Sequence, residues 1–374
     1  MNQAETKSPG GIMRWIRNGW VVVVPVVALA VLLVTWGREL PLTWSLLLGA
    51  ALVGAVLAAV HHAEVVAHRV GEPFGSLVLA VAVTIIEVGL IVMLMVSGDS
   101  HASTLARDTV FSAVMITLNG IVGLSLLVGS VRHQLPRFNA EGTGAALAVL
   151  ATLTTLTLVL PTFTVSDDNG QYTSGQLGFV AIASLVLYAA YVITQTRTHR
   201  DFFLPVAKDG RLLRDDDHAA PPSVRATLSS VGLLIVSLVA VVGLAKGISP
   251  TIEAGVAVAG VPESFIGVVI ALLVLLPEGL SAVRAALGNR LQTSLNLGIG
   301  SAIASIGLTI PVIAVATIWL PGDLTLGLGP VQIVLFAVTV AVSILTMIPG
   351  RATRLQGVVH LGLFAAFLFL SISP

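Results

Sequence analysis

The chain has 374 residues, 56% hydrophobic and only 10% charged, with zero formal net charge and no cysteine. A soluble domain carries roughly 25% charge, so this is the composition of a polytopic membrane protein. Disulfides, thiolate metal sites and iron–sulfur clusters are excluded, and no bulk basic character points to nucleic acid.

The first eighteen residues are polar and lack the early apolar core of a cleaved signal peptide. A spanning helix needs ~20 mostly apolar residues. Eleven runs qualify, at about 20–36, 42–61, 74–97, 109–131, 143–163, 175–196, 226–245, 264–284, 292–320, 327–348 and 356–373. Sustained β-type alternation is absent, so helices satisfy the backbone in lipid. The 36 glycines suit close helix packing there.

With the N-terminus in the cytoplasm, sixteen Lys and Arg residues fall inside and three outside (Arg38, Arg107 and Lys246). That bias follows the positive-inside rule. It predicts a multi-pass protein of a bacterial-type plasma (inner) membrane, with a cytoplasmic N-terminus and the C-terminus outside. The longest loop, 197–225, is then cytoplasmic and divides the chain. Residues 1–37 form a tail and first helix, 38–196 a first set of five helices and 226–374 a second. An odd number of helices per set forces opposite orientations, so the predicted fold is all-α with one extra helix and two inverted five-helix repeats. Val122-Gly-Leu-Ser125 and Ile306-Gly-Leu-Thr309, each in the third helix of its set, support the repeat.

Two acids fall in mid-helix, Glu87 and Glu278, each thirteen residues after a Phe in the second helix of its set. Acids at such depth are costly and mark ion paths or proton relays. A carboxyl in a dry site tends to keep its proton, more so beside a second carboxyl. Two such groups hold two protons or one divalent cation with little change in net charge, which is the chemistry of a cation/proton exchanger. Ca²⁺ takes 6–8 oxygens, so hydroxyls, amides, water and carbonyls must add to the two acids. Thr84 and Ser281 share the acids' helix faces; Asn119, Ser301 and Ser305 lie on the following helices. Pro277 and Gly279 flank Glu278 and predict a helix break that frees carbonyls.

The stretch Leu276-Pro-Glu-Gly-Leu-Ser281, continuing through Asn296-Leu-Gly-Ile-Gly-Ser301 to Pro311, resembles the second conserved block of calcium/proton antiporters of the calcium/cation antiporter superfamily, in the bacterial ChaA-like branch. The run ending Thr84-Ile-Ile-Glu87 resembles the first. The resemblance implies Glu87 and Glu278 as ion- and proton-binding acids, Ca²⁺ export driven by inward protons, and no cofactor beyond the transported Ca²⁺ and H⁺. In eukaryotic members each acid closes a Gly-Asn-Ala-x-Glu motif; here Thr84 and Leu275 stand at the Asn positions. Asn119 and Ser301 match a family amide and a family Ser, whereas the equivalent amide on the ninth helix is replaced by Ala304. Na⁺ and K⁺ therefore stand beside Ca²⁺ as candidate cargo. Membrane lipid is the expected partner, with no nucleic acid, and the oligomeric state is left open.

Two other readings compete. A cation channel would pass ions without protons. A membrane iron oxygenase would use His61-His-Ala-Glu-Val-Val-Ala-His68, but such enzymes need several His boxes and the remaining His residues are scattered. That cluster is expected to cap a helix end. Asp215-Asp-Asp-His218 is either a solvated loop tip or a collector of cytoplasmic Ca²⁺, and lacks EF-hand spacing.

Overall fold

The computed structural model describes residues 11–38, 42–71, 74–96, 102–165, 170–205, 222–319 and 324–373. Eleven helical rods follow the eleven apolar runs. They begin with α1 (Gly11–Thr35), α2 (Leu42–Val70) and α3 (Phe74–Val96). Rod α4 passes from Ala102–Met115 through a π turn, Ile116–Ile121, into Val122–His133. Rod α5 joins Ala140–Thr154, Thr155–Val159 and Leu160–Phe163, and α6 joins Ser174–Ile193 to Thr194–Thr198. The last five are α7 (Val224–Ala259), α8 (Phe265–Leu287), α9 (Leu291–Ala316), α10 (Pro330–Met347) and α11 (Arg354–Ile372). Among the described residues nine helices are long and apolar enough to cross a bilayer, and Gly19–Thr35 and Val81–Met93 are shorter apolar stretches in the other two rods. The acidic stretch 215–218 lies outside the described residues.

Two helices run past their apolar segments. Rod α2 continues to Val70, so His61–His68 lies inside it rather than capping its end. Rod α7 carries Lys246 and Pro250 internally and spans 36 residues, or ~54 Å against a hydrocarbon core of ~30 Å. Hydropathy marks where lipid ends, whereas backbone hydrogen bonding continues until a stop signal. For α7 the stop is Gly260, at φ 65°, a left-handed conformation that glycine adopts without a steric cost.

The two sets of five pack as an exchanged pair. Their first helices, α2 and α7, pack against each other. The second helix of each set packs on the third helix of the other, α3 on α9 and α8 on α4. The fifth helix does the same, α6 on α9 and α11 on α4. Both fifth helices start with the same capping box, Thr173 with Gln176 and Thr353 with Gln356, in which side chains satisfy otherwise orphaned backbone N–H groups.

The loops reveal the inversion directly. Arg137, between the third and fourth helices of the first set, bridges to Arg351, between the fourth and fifth of the second. Phe138 N donates to Gly350 O at 3.0 Å and Ala352 N to Pro136 O at 2.9 Å. At the opposite end the roles swap. Gln171, between the fourth and fifth helices of the first set, bridges to Thr325, between the third and fourth of the second. Parallel sets would bring like loops together; these sets bring unlike loops together, so they stand upside down to one another. Rod α1 lies outside this exchange, against α2 and α7, with the His62 ring 2.8 Å from Val21 O.

Candidate cation site

Mid-membrane polar groups must find partners within the protein, and the exchanged packing supplies them. Both glutamates are buried, Glu87 at 3% exposure and Glu278 at 9%. Both line one cavity of about 230 Å³ between α3, α6, α8 and α9. The Ser305 Oγ lies 2.6 and 2.7 Å from the two carboxylate oxygens of Glu87. A hydroxyl carries one proton, so it donates to one oxygen of the carboxylate. In the neutral acid it also accepts the carboxyl O–H, so the contact suits both protonation states. On the other acid, Glu278 Oε2 is buried with no hydrogen-bond partner among the described protein groups, as is the Tyr191 hydroxyl on the cavity wall.

Thr84, Ser301 and Ser305 line the cavity with the two acids. Ser281 and Asn119 do not. Ser281 is half-buried on α8 and is not among the residues lining the cavity. Asn119 sits in the π turn of α4 and faces the opposite way. Its Nδ2 donates to Thr339 Oγ1 at 2.9 Å and its Oδ1 lies 3.2 Å from His360 Nδ1. The π turn adds a residue to the helical register and rotates the downstream turns of the rod, which a sequence offset cannot anticipate. Truncating Asn119 to Ala removes a partner from His360 Nδ1 and from Thr339 Oγ1 in a dry core, so it is expected to destabilise the fold by ~1–3 kcal/mol. Thermal melting in detergent measures that loss, and cation affinity should stay near wild type because the amide does not reach the cavity.

The expected helix break at Pro277 is absent. Rod α8 is helical from Phe265 to Leu287, with Pro277 buried inside it. Proline removes one N–H and crowds the preceding turn, but the surrounding packing keeps the rod continuous. Gly279 lies against α4, where a Cβ would meet the Ile121 side chain at 3.5 Å, an ordinary contact distance.

Composition alone did not nominate Tyr188, Tyr191, Gln195, Thr293 and Asn296, all of which line the cavity. A signal was present. Only three Tyr occur in the chain, and Tyr188, Tyr191 and Gln195 follow three- and four-residue spacing on one face of α6. The lining on α9 runs from Thr293 to Ser305, or ~18 Å along the axis. The cavity thus extends from the acids to the end where α6 finishes and α9 starts, beside Arg197, Arg200 and Arg290. The His61–His68 stretch forms no metal cluster, because no group of three or more His, Asp or Glu residues that could hold a metal occurs among the described residues.

A family profile described as sodium/calcium exchanger protein matches residues 40–197 and 229–373. The chain belongs to the sodium/calcium exchanger family. It is a secondary transporter and multi-pass membrane protein, not an enzyme. Its relatives include the Sinorhizobium fredii protein y4hA, 44% identical over 95% of this chain and 96% of that one. They also include the sodium-potassium/proton antiporter ChaA of Escherichia coli, 37% identical over 93% and 94%. The exchanger fold recurs in native YfkE, with a TM-score of 0.71 at 17% identity over 95% of this chain and all of that one. It recurs also in the H⁺/Ca²⁺ exchanger CAX, with a TM-score of 0.69 at 17% identity over 93% and 87%.

Proposed function

We propose that the protein is a cation/proton antiporter that exports Ca²⁺, Na⁺ or K⁺ from the cytoplasm in exchange for protons, by alternating access at Glu87 and Glu278. The observation that carries this reading is that the two acids, 191 residues apart in sequence, line one cavity. Two neutral carboxyls, or two carboxylates with one divalent cation, leave the cavity with the same net charge, so exchange avoids the cost of an uncompensated buried charge. Glu278 Oε2, without a protein partner, is the oxygen that a proton or a cation satisfies. Thr84, Ser301, Ser305 and the Tyr191 hydroxyl supply further oxygens.

The moving units are residues 38–196 and 226–374, joined by the 197–225 loop. With the N-terminus in the cytoplasm of an inner membrane, the arginine-rich end faces the cytoplasm and the C-terminus lies outside. The cavity then opens to the cytoplasm, where the cation loads. Protons arriving from outside neutralise the acids in the opposite state. No resident cofactor is needed, since Ca²⁺ and H⁺ are cargo. Lipid surrounds the bundle.

The test is coupling. In inside-out vesicles an imposed pH gradient should drive Ca²⁺, Na⁺ or K⁺ uptake, and addition of the preferred cation should release protons. Uptake that tracks voltage alone, with no proton movement, would assign a channel instead. Competition among the three cations at several pH values then ranks them. Within this scheme Ser305→Ala removes a hydrogen bond to a charged carboxylate, worth ~1.5–3 kcal/mol. It should raise the cation concentration for half-maximal proton release about tenfold or more. Ser305→Thr, which keeps the hydroxyl, should recover most of that loss.

A further inference from the structure

A second cavity, of about 220 Å³, lies at the opposite end of the bundle from Arg197, Arg200 and Arg290. It is lined from α4 by Asp108, Phe111 and Ser112, from α8 by Val268, from the start of α10 by Gln332, and from α11 by Phe367. We propose that this cavity is the outer vestibule of the transport path, where cations leave and protons enter, and that the touching rings of Phe111 and Phe367 are the barrier that closes it here. The proposal rests on the reading of Glu87 and Glu278 as the central site, and adds the route and the residues that gate it.

The inverted packing relates the two ends. A Cβ placed on Gly123 of α4 would meet His360 Cβ of α11 at 2.8 Å, and one placed on Gly307 of α9 would meet Tyr188 Cβ of α6 at 2.8 Å. Each third helix thus packs closely on the fifth helix of the other set, so the α4–α11 face stands at the outer end as the α9–α6 face stands at the inner end.

Gln195 and Asn296 line the inner cavity near its arginine-rich end. At the outer end α4 and α11 present Phe111 and Phe367 to each other, with ring centroids 5.9 Å apart, edge to face, at 1% and 3% exposure. Such a pair seals by apolar contact. The barrier is thin. Ala113 and Ala271 line the central cavity, whereas Phe111, Ser112 and Val268 line the outer one. On α8 only three residues, ~4.5 Å of rise, separate the two linings. The outer wall also carries a buried acid. Asp108 is 4% exposed and accepts from Arg107 Nε at 2.8 Å, with Thr104 and Gln332 as further partners. Arg107 also donates to Gly327 O at 3.3 Å, so the pair fixes the mouth of this cavity to the loop before α10.

The absence of native cysteine makes the test direct. Ala113→Cys, on the central side of the rings, is placed in the full chain, in right-side-out vesicles, and treated from outside with a small membrane-impermeant cationic thiol reagent. Labelling should be slow. Adding Phe111→Ala or, as a gentler change that keeps the core filled, Phe367→Leu should speed it severalfold. Thr293→Cys, at the inner mouth, should label from the cytoplasmic face equally with and without the Phe substitutions, which reports intact folding. Outside labelling of Ala113→Cys that is unchanged in both Phe variants, with Thr293→Cys still reactive from inside, overturns the proposal. Labelling measures access without exchange. Loss of coupled exchange in the wild type would overturn the central-site reading while leaving this result to stand by itself.

Discussion

Glu87→Gln and Glu278→Gln are each expected to abolish proton-coupled cation exchange while leaving the helical bundle intact. Glutamine matches glutamate in shape but neither ionises nor binds a proton. One carboxylate then remains in a cavity that must neutralise either two protons or a cation. A divalent ion would leave an uncompensated charge at a depth where such charge is costly. Loss of a paired ionic contact at such a site is worth several kcal/mol, so exchange should fall at least about a hundredfold. The two variants should differ in their side effects. Glu87→Gln keeps the carbonyl that accepts from Ser305, whose hydroxyl now serves both oxygens of Glu87. Glu278→Gln places an amide where Oε2 has no protein partner, and should cost more folded yield. Proton release on cation addition, with size-exclusion profiles of the purified variants, separates these effects. Exchange at wild-type rate in either variant removes that residue from the site.

Gly267→Val is expected to destabilise the protein more than any other single change on α8 outside the cavity. A Cβ on Gly267 would lie 2.7 Å from the Asp108 carbonyl carbon and 2.8 Å from Thr109 N. Both are backbone atoms of α4, which cannot rotate away as a side chain can. Rods α4 and α8 would have to separate along a contact that the inverted packing depends on. Overpacking of this kind costs ~1–3 kcal/mol, and more where backbone is involved. In a membrane the loss is not softened by a hydrophobic driving force, because helix association there rests on close packing of small residues. Melting in detergent should show a clear loss for Gly267→Val and a smaller one for Gly267→Ala. Gly175→Ala and Gly232→Ala, whose added Cβ atoms meet nothing within 4 Å, should melt near wild type. Equal melting for Gly267→Val and Gly232→Ala would show that the α4–α8 contact relaxes without cost.

Much of the fold was legible in the sequence because insertion into lipid is read along the chain. Apolar runs placed eleven helices, and the odd count of five in each set, with the first helix set apart, implied inversion. The cost of buried charge singled out Glu87 and Glu278 before any contact was known. Which neighbours reach those acids depended on helix rotation, and that is set by packing between segments about two hundred residues apart. Ser305 reaches Glu87 because α9 lies on α3. Asn119, equally plausible by position, is turned to His360 and Thr339 by a π turn that its sequence does not announce. Pro277 and Gly279 suggested a break, yet the packed surroundings keep α8 continuous. Hydropathy and charge act locally and are additive along the chain, so they determined where the helices and acids lie. The rotational setting of each helix is a property of many simultaneous side-chain contacts, so only the tertiary structure decided which oxygens share the cavity and that Phe111 and Phe367 meet edge to face.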